Sequence, residues 1–219
     1  MFIIIASLVI TLGAQAYINS MYKKTKKIEL SKGITGHDVA RKILDSNGLF
    51  DVKIIESSGI LSDHYDPRSK TVNLSPEEFC KASIAACSVA AHECGHAIQD
   101  KDGYFFLRLR SFIVPFVNIA SYLGYISIVV GLFLSVFDLI WLGIFMEFLI
   151  LFFQLITLPV EFNASNRALK QLNELNIVSS DEMVYSKKML FAAALTYVAS
   201  VATAVLQIVR LFLMVRRND

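Results

Sequence analysis

The chain has little charge for its length and few cysteines. Of its 219 residues, 18% are Asp, Glu, Lys or Arg, against about 25% in an ordinary soluble domain. The formal net charge of +2 is too small to indicate nucleic acid as a partner. The 55% hydrophobic content excludes a disordered chain and a fibrous coiled coil. Three cysteines are too few for a disulfide framework, so we expect a reducing compartment.

Long apolar runs are what the sequence has in abundance. A helix of about 20 residues crosses the roughly 30 Å of bilayer hydrocarbon. Four runs are long enough, namely residues 2–18, 112–136, 139–158 and 190–209, the last with a possible extension to 215. We therefore predict a mainly α-helical membrane protein with four transmembrane helices, surrounded by lipid bilayer.

The first run also has a feature of a secretory signal peptide, because Ala14-Gln15-Ala16 imitates a cleavage site. A signal peptide carries basic residues before its apolar core. Here no basic residue precedes the run, and four lysines follow it: Lys23, Lys24, Lys26 and Lys27. We therefore predict an uncleaved anchor.

Basic residues near the ends of the spans indicate the orientation. Most of them flank the two polar segments, 23–111 and 159–188, whereas Arg210, Arg216 and Arg217 flank the opposite side. Because cytoplasmic loops are enriched in Lys and Arg, we expect a multi-pass cell-membrane protein with cytoplasmic polar segments and both termini outside. The basic C-terminal tail opposes this assignment.

The polar segments contain local signals for a small α+β domain. The patterns predict a helix at residues 37–46 and strands at 52–56 and 71–74. Ser75 with Glu78 and Ser179 with Glu182 resemble capping boxes that start helices. The first of these helices is expected to break near Lys81, restart at Ser83 and reach about Gln99; the second leads into the last span.

The strongest chemical motif is His92-Glu93-Cys94-Gly95-His96 in the predicted 83–99 helix. Histidines four residues apart lie on one helix face, so both imidazoles can reach one metal ion. Glu93 lies about 100° around the helix from His92 and can reach a metal-activated water without being a ligand. The pattern predicts a zinc peptidase site; the alternative is two surface histidines on an alanine-rich helix.

The three cysteines lie near this motif without belonging to it. Cys80, Cys87 and Cys94 recur every seven residues. On a helix, Cys87 and Cys94 point away from the histidines. We expect them to be packing residues and not metal ligands.

Glu161 is the preferred third metal ligand. It follows Pro159, which we expect to end or kink the third span and so to place Glu161 in the first turn of a new helix. Two spans separate His96 from Glu161, so both lie on the same side of the membrane. The alternative is a solvated carboxylate favoured by the helix dipole.

Two other residues compete with Glu161. Asp102 follows His96 by six residues, the position at which another class of zinc peptidase has its third ligand. That class also needs a glycine midway between the two ligands, so that the chain can turn. Gln99 stands at that position here, which argues against Asp102. His64, in Asp63-His64-Tyr65-Asp66, can reach the site from the strand region. We favour His64 as a catalytic donor to the transition-state oxyanion; ordinary turn polarity is the alternative.

Three segments carry a resemblance to a known family. HECGHAIQ, preceded by DHYDP and followed after a hairpin by LPVEFNAS, resembles the YugP-type membrane zinc metallopeptidases over nearly the whole chain. The resemblance implies a neutral zinc metallopeptidase on the gluzincin plan, HExxH with a distant glutamate. That plan is shared with membrane peptidases related to HtpX and the CAAX-processing enzyme.

The resemblance also implies the roles of individual residues. One zinc ion would be held by His92, His96 and Glu161, with Glu93 as general base, in a small α+β zincin-like domain at the membrane surface. The wider plan has ExxxD after the hairpin, whereas Ser165 stands at that aspartate here. The group that orients a ligand imidazole is therefore open; Asp66 and Asp100 are candidates.

These observations predict a five-part chain. Its parts are an anchor (1–22), a catalytic segment (23–111), a transmembrane hairpin (112–158), a third-ligand helix (159–188) and a last transmembrane helix (189–219). We expect a zinc-dependent endopeptidase that hydrolyses peptides or membrane proteins near the cytoplasmic face, with no nucleic-acid partner. Strand 71–74 would hold substrate if it were a sheet edge; an interior strand fits the pattern equally well.

Two other functions remain as alternatives. An intramembrane protease is disfavoured because the region leading into the motif carries Glu77, Glu78 and Lys81. A non-catalytic scaffold or transport protein with a structural metal finds support in Glu147, near the middle of the third apolar run. A polar contact of Glu147 with Ser127 or Ser200 is the simpler interpretation.

Overall fold

The computed structural model describes residues 2–59 and 62–218 and is mostly helical. Its elements, in chain order, are α1 (Phe2–Thr25), α2 (Gly36–Ser46), β1 (Lys53–Glu56), β2 (His64–Asp66), β3 (Thr71–Leu74), α3 (Pro76–Cys80), α4 (Ile84–Lys101), α5 (Phe105–Leu134), α6 (Phe137–Glu174) and α7 (Ser180–Asn218). They form two compact units. We call Met1–Gln15, Phe105–Pro159 and Leu195–Asp219 the span unit, and Ala16–Tyr104 with Val160–Ala194 the polar unit.

The four predicted spans are present as α1, α5, α6 and α7. In the described residues, these are the helices long and apolar enough to cross a membrane. Within the span unit, Ile128, Ile140 and Ile144 pack with Leu211 and Val215. Large apolar side chains elsewhere in this unit are exposed, as expected for a surface that faces lipid.

The helices extend beyond the apolar runs, and Pro159 does not end the third one. Pro159 lies inside α6, so Glu161 is an interior residue of a long helix and not part of a first turn. The expectation of a new helix after Pro159 is wrong. Proline removes one backbone donor, and the helix-forming residues on both sides continue the remaining ladder.

Glu147 has a charged neighbour in the span unit. Among the described residues, Arg210 of α7 lies close enough to act on the Glu147 carboxylate electrostatically. Ser200, one of the two serines considered as its partner, instead donates its hydroxyl to the Thr196 carbonyl of its own helix. Sequence reasoning therefore found the polar group in the span but not the charge that accompanies it.

The polar unit contains a three-stranded sheet in the order β1-β3-β2. β1 runs parallel to β3, and β2 runs antiparallel to it with Tyr65 opposite Val72. The interpretation of residues 71–74 as a sheet edge is wrong, because β3 is central and β2 is an edge strand. The buried core of the polar unit joins β3 to residues of α2, α4, α6 and α7.

Side-chain capping explains the starts of α2, α4 and α7. Thr35 and Asp38 form a capping box at α2. The predicted break before α4 is present, and the Ser83 hydroxyl accepts from the Ala86 amide. Ser179 and Glu182 form the predicted box at α7.

The box predicted for Ser75 and Glu78 is wrong. The Ser75 hydroxyl donates to Asp63, and the Glu78 carboxylate accepts from the Tyr22 hydroxyl at 2.5 Å. Both side chains are drawn away from the local backbone by partners that are distant in the chain.

Candidate metal centre

The closest approach of α4 to α6 brings the histidine motif beside Glu161. A Cβ added at Gly95 would lie 2.5 Å from the Ala164 carbonyl oxygen, so only glycine fits at this point of α4. Ala164 and Ala168 are buried small residues of α6. All of these residues belong to the polar unit. The small side chains therefore let the two helix backbones come close.

His92, His96 and Glu161 converge at this crossing. The Nε2 atom of His92 lies 3.3 Å from Oε2 of Glu161, and that of His96 lies 3.7 Å from the same oxygen. Their side chains are 16%, 11% and 3% exposed, respectively. One potential ligand atom from each residue lies within 4.8 Å of the other two.

This donor set fits a zinc ion. Zinc in proteins is usually tetrahedral, with bonds of about 2.0–2.2 Å to imidazole nitrogen and carboxylate oxygen, which separates neighbouring ligand atoms by about 3.3 Å. The two nitrogen–oxygen distances, 3.3 and 3.7 Å, are close to that spacing. Three protein ligands leave a fourth position for water or substrate, as catalytic zinc sites require.

Gln99 supports the His96 imidazole. Its amide nitrogen donates to the Val160 carbonyl at 2.8 Å and to Asn163 at 3.0 Å, so its Oε1 is the end that faces Nδ1 of His96, at 3.0 Å. An amide oxygen can only accept. Nδ1 of His96 therefore carries a proton, which leaves Nε2, the nitrogen that faces Glu161, as the atom that could bind a metal ion.

Ser165 occupies the equivalent place beside the other imidazole. Its hydroxyl lies 3.2 Å from Nδ1 of His92. A hydroxyl can donate or accept, so it adapts to either tautomer. Ser165 is therefore a partner of the His92 imidazole.

The two carboxylates considered for this supporting role are engaged elsewhere. Asp66 accepts from the Arg68 amide and the Ser69 hydroxyl, and Asp100 accepts from the Tyr65 hydroxyl. Sequence reasoning missed Gln99 and Ser165 as the partners of the imidazoles. The signal was their spacing, since Gln99 follows His96 by three residues and Ser165 follows Glu161 by four.

Glu93 is held by the edge strand. Its carboxylate accepts the Tyr65 amide of β2 at 2.9 Å. Burial raises the pKa of Glu93 to about 7, and the negative charge of Glu161 adds to the rise, whereas His92 and the Tyr65 amide oppose it. A carboxyl group tuned in this way can both take up and release a proton near neutral pH.

His64 lies on β2 next to Tyr65 but has other partners. It is exposed; Nδ1 contacts the Ser62 carbonyl at 2.8 Å, and Nε2 lies 3.3 Å from the Asn73 amide nitrogen. In this arrangement Nδ1 donates and Nε2 accepts. The catalytic role of His64 as an oxyanion donor stays a prediction.

The other candidates lie outside the cluster. Asp102 accepts from Arg167 at 2.5 Å. Cys87 and Cys94 are buried in the core, which confirms them as packing residues, whereas Cys80 is exposed.

Comparison with known proteins identifies the family of the chain. Residues 1–216 match the family described as "Putative neutral zinc metallopeptidase". The chain belongs to this family. It is also 43% identical over 217 residues to "Putative membrane protease YugP" of Bacillus subtilis (strain 168), which covers 99% of this chain and 96% of that relative. No solved structure matches the chain. The resemblance stated from the motifs is confirmed.

Proposed function

We propose that this membrane protein is a zinc-dependent endopeptidase that hydrolyses peptide bonds near the cytoplasmic face of the membrane. The observation that carries the proposal is the cluster of His92, His96 and Glu161, whose ligand atoms lie within 4.8 Å of one another. Glu93 follows His92 directly on α4. Membership of the zinc metallopeptidase family supports the same chemistry.

Each residue of the cluster has a role in the proposed reaction. The imidazoles of His92 and His96 and the carboxylate of Glu161 would hold one zinc ion. When bound, zinc supplies a Lewis acid that polarises the scissile carbonyl and lowers the pKa of water to about 7. Glu93 takes a proton from the attacking water and returns it to the leaving amine.

The Tyr65 amide limits the freedom of the general base. Its hydrogen bond to Glu93 holds one carboxylate oxygen against β2 and leaves the other to receive the proton. A general base works only within hydrogen-bond reach of the proton that it abstracts. The edge strand is therefore part of the proposed catalytic arrangement even though its side chains are not ligands.

The location of the motif supports cleavage outside the hydrocarbon. α4 belongs to the polar unit and is not among the helices long and apolar enough to span a membrane in the described residues. An intramembrane protease would carry its motif on a spanning helix. We therefore propose that the substrate peptide meets the site in water, at the face where the basic residues gather.

The test separates metal binding from hydrolysis. Three forms of the full chain are placed in lipid nanodiscs: wild type, Glu93→Gln and His92→Ala. Each form is analysed for bound zinc, and its cleavage of an unstructured peptide library is followed by mass spectrometry. We expect wild type and Glu93→Gln to contain one zinc ion. Hydrolysis by Glu93→Gln should fall by about 10²–10⁴-fold, the usual contribution of general-base catalysis.

The variants distinguish the competing functions. His92→Ala should lose both zinc and hydrolysis. Full activity of Glu93→Gln would overturn the assignment of the general base. Wild-type protein that binds zinc but cleaves no peptide would favour the scaffold with a structural metal.

A further inference from the structure

A basic cavity lies in the polar unit at the end of α1. Its volume is about 810 Å³, and its lining includes four lysines and two glutamates: Lys23, Lys26, Lys27, Lys81, Glu29 and Glu77. None of the proposed zinc ligands lines it. The cavity is therefore a feature that the proposed peptidase chemistry does not use.

Backbone pairing holds the floor of this cavity. After α1 the chain runs back along the segment before α4, where Glu29 and Ser83 form an antiparallel bridge. The Leu30 amide donates to the Ala82 carbonyl at 2.9 Å, and the Ile84 amide donates to the Ile28 carbonyl at 3.0 Å. The lysines thus project from a defined framework and not from a free tail.

The positive charges in the cavity are only partly compensated. Lys26 forms an ion pair with Glu77 at 2.5 Å. In the part of the chain that the structure describes, the ammonium groups of Lys23, Lys27 and Lys81 have no hydrogen-bond or ion-pair partner. Four lysines against two glutamates leave an excess of positive charge in the lining, and such an excess creates a positive potential that attracts an anion.

The position of the lysines in the chain indicates where this anion would come from. The distance from Phe2 to Lys23 along α1 is about 32 Å at 1.5 Å per residue, and the hydrocarbon of a bilayer is about 30 Å thick. A helix that crosses the membrane from Phe2 therefore brings Lys23 and the cavity that follows to the depth of the lipid headgroups.

We propose that this cavity binds the phosphodiester headgroup of an anionic membrane lipid. Lys23, Lys27 and Lys81 supply point charges for the phosphate. Lys26 is shared with Glu77, and the Glu29 carboxylate can accept a hydrogen bond from a headgroup hydroxyl. Such a lipid would hold the start of the polar unit at the membrane surface. The proposal does not depend on peptidase activity.

The experiment uses the full chain in micelles of a neutral detergent. Thermal unfolding is followed while dihexanoyl-phosphatidylglycerol, dihexanoyl-phosphatidylcholine or glycerol 3-phosphate is added, and the midpoints give apparent dissociation constants. We expect the phosphatidylglycerol to stabilise the protein at much lower concentration than the other two. The three probes separate an anionic lipid from a zwitterionic lipid and from a free phosphate.

Variants locate the effect. Each lysine near a membrane surface contributes about a fivefold factor in affinity, so the double variant Lys27→Gln/Lys81→Gln should bind phosphatidylglycerol about 25-fold more weakly. Lys27→Arg/Lys81→Arg keeps the charges and should retain binding. The matched control is Lys24→Gln, from the same basic run, because the Lys24 ammonium lies over the Tyr185 ring and outside the cavity.

Three results would overturn the proposal. An equal loss in Lys24→Gln would show diffuse attraction by the basic run, with no specific site. Unchanged binding in the Lys27→Gln/Lys81→Gln variant would exclude the cavity. Equal stabilisation by glycerol 3-phosphate and phosphatidylglycerol would exclude a lipid as the ligand.

Discussion

Gln99 uses the two ends of its amide for different purposes. The oxygen accepts from Nδ1 of His96, and the nitrogen donates to the Val160 carbonyl of α6. Because the amide is fully buried, neither group can exchange its partner for water. One side chain therefore orients an imidazole and ties α4 to the helix that carries Glu161.

Replacing Gln99 should weaken metal binding. Gln99→Leu has a similar size but leaves His96 without its acceptor, so the ring loses both its preferred tautomer and its orientation. Loss of a partner that orients a ligand typically costs about 10–100-fold in metal affinity. We therefore expect the zinc dissociation constant of Gln99→Leu, measured by competition with a chelator, to rise by a factor in this range.

Asn163→Ala is the control for Gln99. It removes one acceptor of the Gln99 amide nitrogen without touching His96. We expect the zinc dissociation constant of Asn163→Ala to change little. Equal weakening in both variants would show that Gln99 acts through helix packing and not through the imidazole.

At the scale of the elements, the contact between α4 and α6 depends on one missing side chain. The Ala164 carbonyl occupies the space where a Cβ of residue 95 would be. Backbone atoms cannot rotate aside as the end of a flexible side chain can. Any substitution at this glycine must therefore move one helix relative to the other.

Gly95→Ala tests this contact. We expect a loss of about 1–3 kcal/mol in the free energy of unfolding, the usual cost of overpacking. Zinc binding should also weaken, because Glu161 lies on the displaced helix. Thermal unfolding and chelator competition measure the two effects.

Gly13→Ala provides the comparison for that substitution. Gly13 lies in α1, and a Cβ added there would meet nothing within 4 Å, so the extra carbon has room. Alanine also has the higher helix propensity. Destabilisation by Gly13→Ala as large as that by Gly95→Ala would contradict the steric explanation.

At the scale of the whole molecule, the cysteines can report the orientation. Cys80 is exposed, whereas Cys87 and Cys94 are buried. Burial raises the pKa of the Cys87 thiol to about 12, so it holds its proton and does not react at neutral pH. A thiol reagent should therefore modify Cys80 alone in the native protein.

Labelling with a membrane-impermeant maleimide should be seen only after cells that express the protein are opened. This result follows if the polar segments are cytoplasmic, as the distribution of basic residues predicts. Cys80→Ser should abolish the signal. Labelling of intact cells would place the polar unit on the outer side and contradict the predicted topology.

The sequence by itself determined the spans, most helix starts and the motif residues. Hydropathy, capping and helical spacing depend on residues that are close in the chain, so they can be recognised from the sequence alone. The break before α4 and the capping box at Ser179 follow from such local signals. Membership of the metallopeptidase family likewise agrees with motifs that can be read along the chain.

Only the tertiary structure decided which residues surround those motifs. The bond from Gln99 to Val160 joins positions 61 residues apart, and the bond from Tyr65 to Glu93 joins positions 28 apart. The central position of β3 and the engagement of Ser75 by Asp63 are further cases. No local pattern specifies such contacts, because they depend on which distant backbone or side chain the packed core brings alongside.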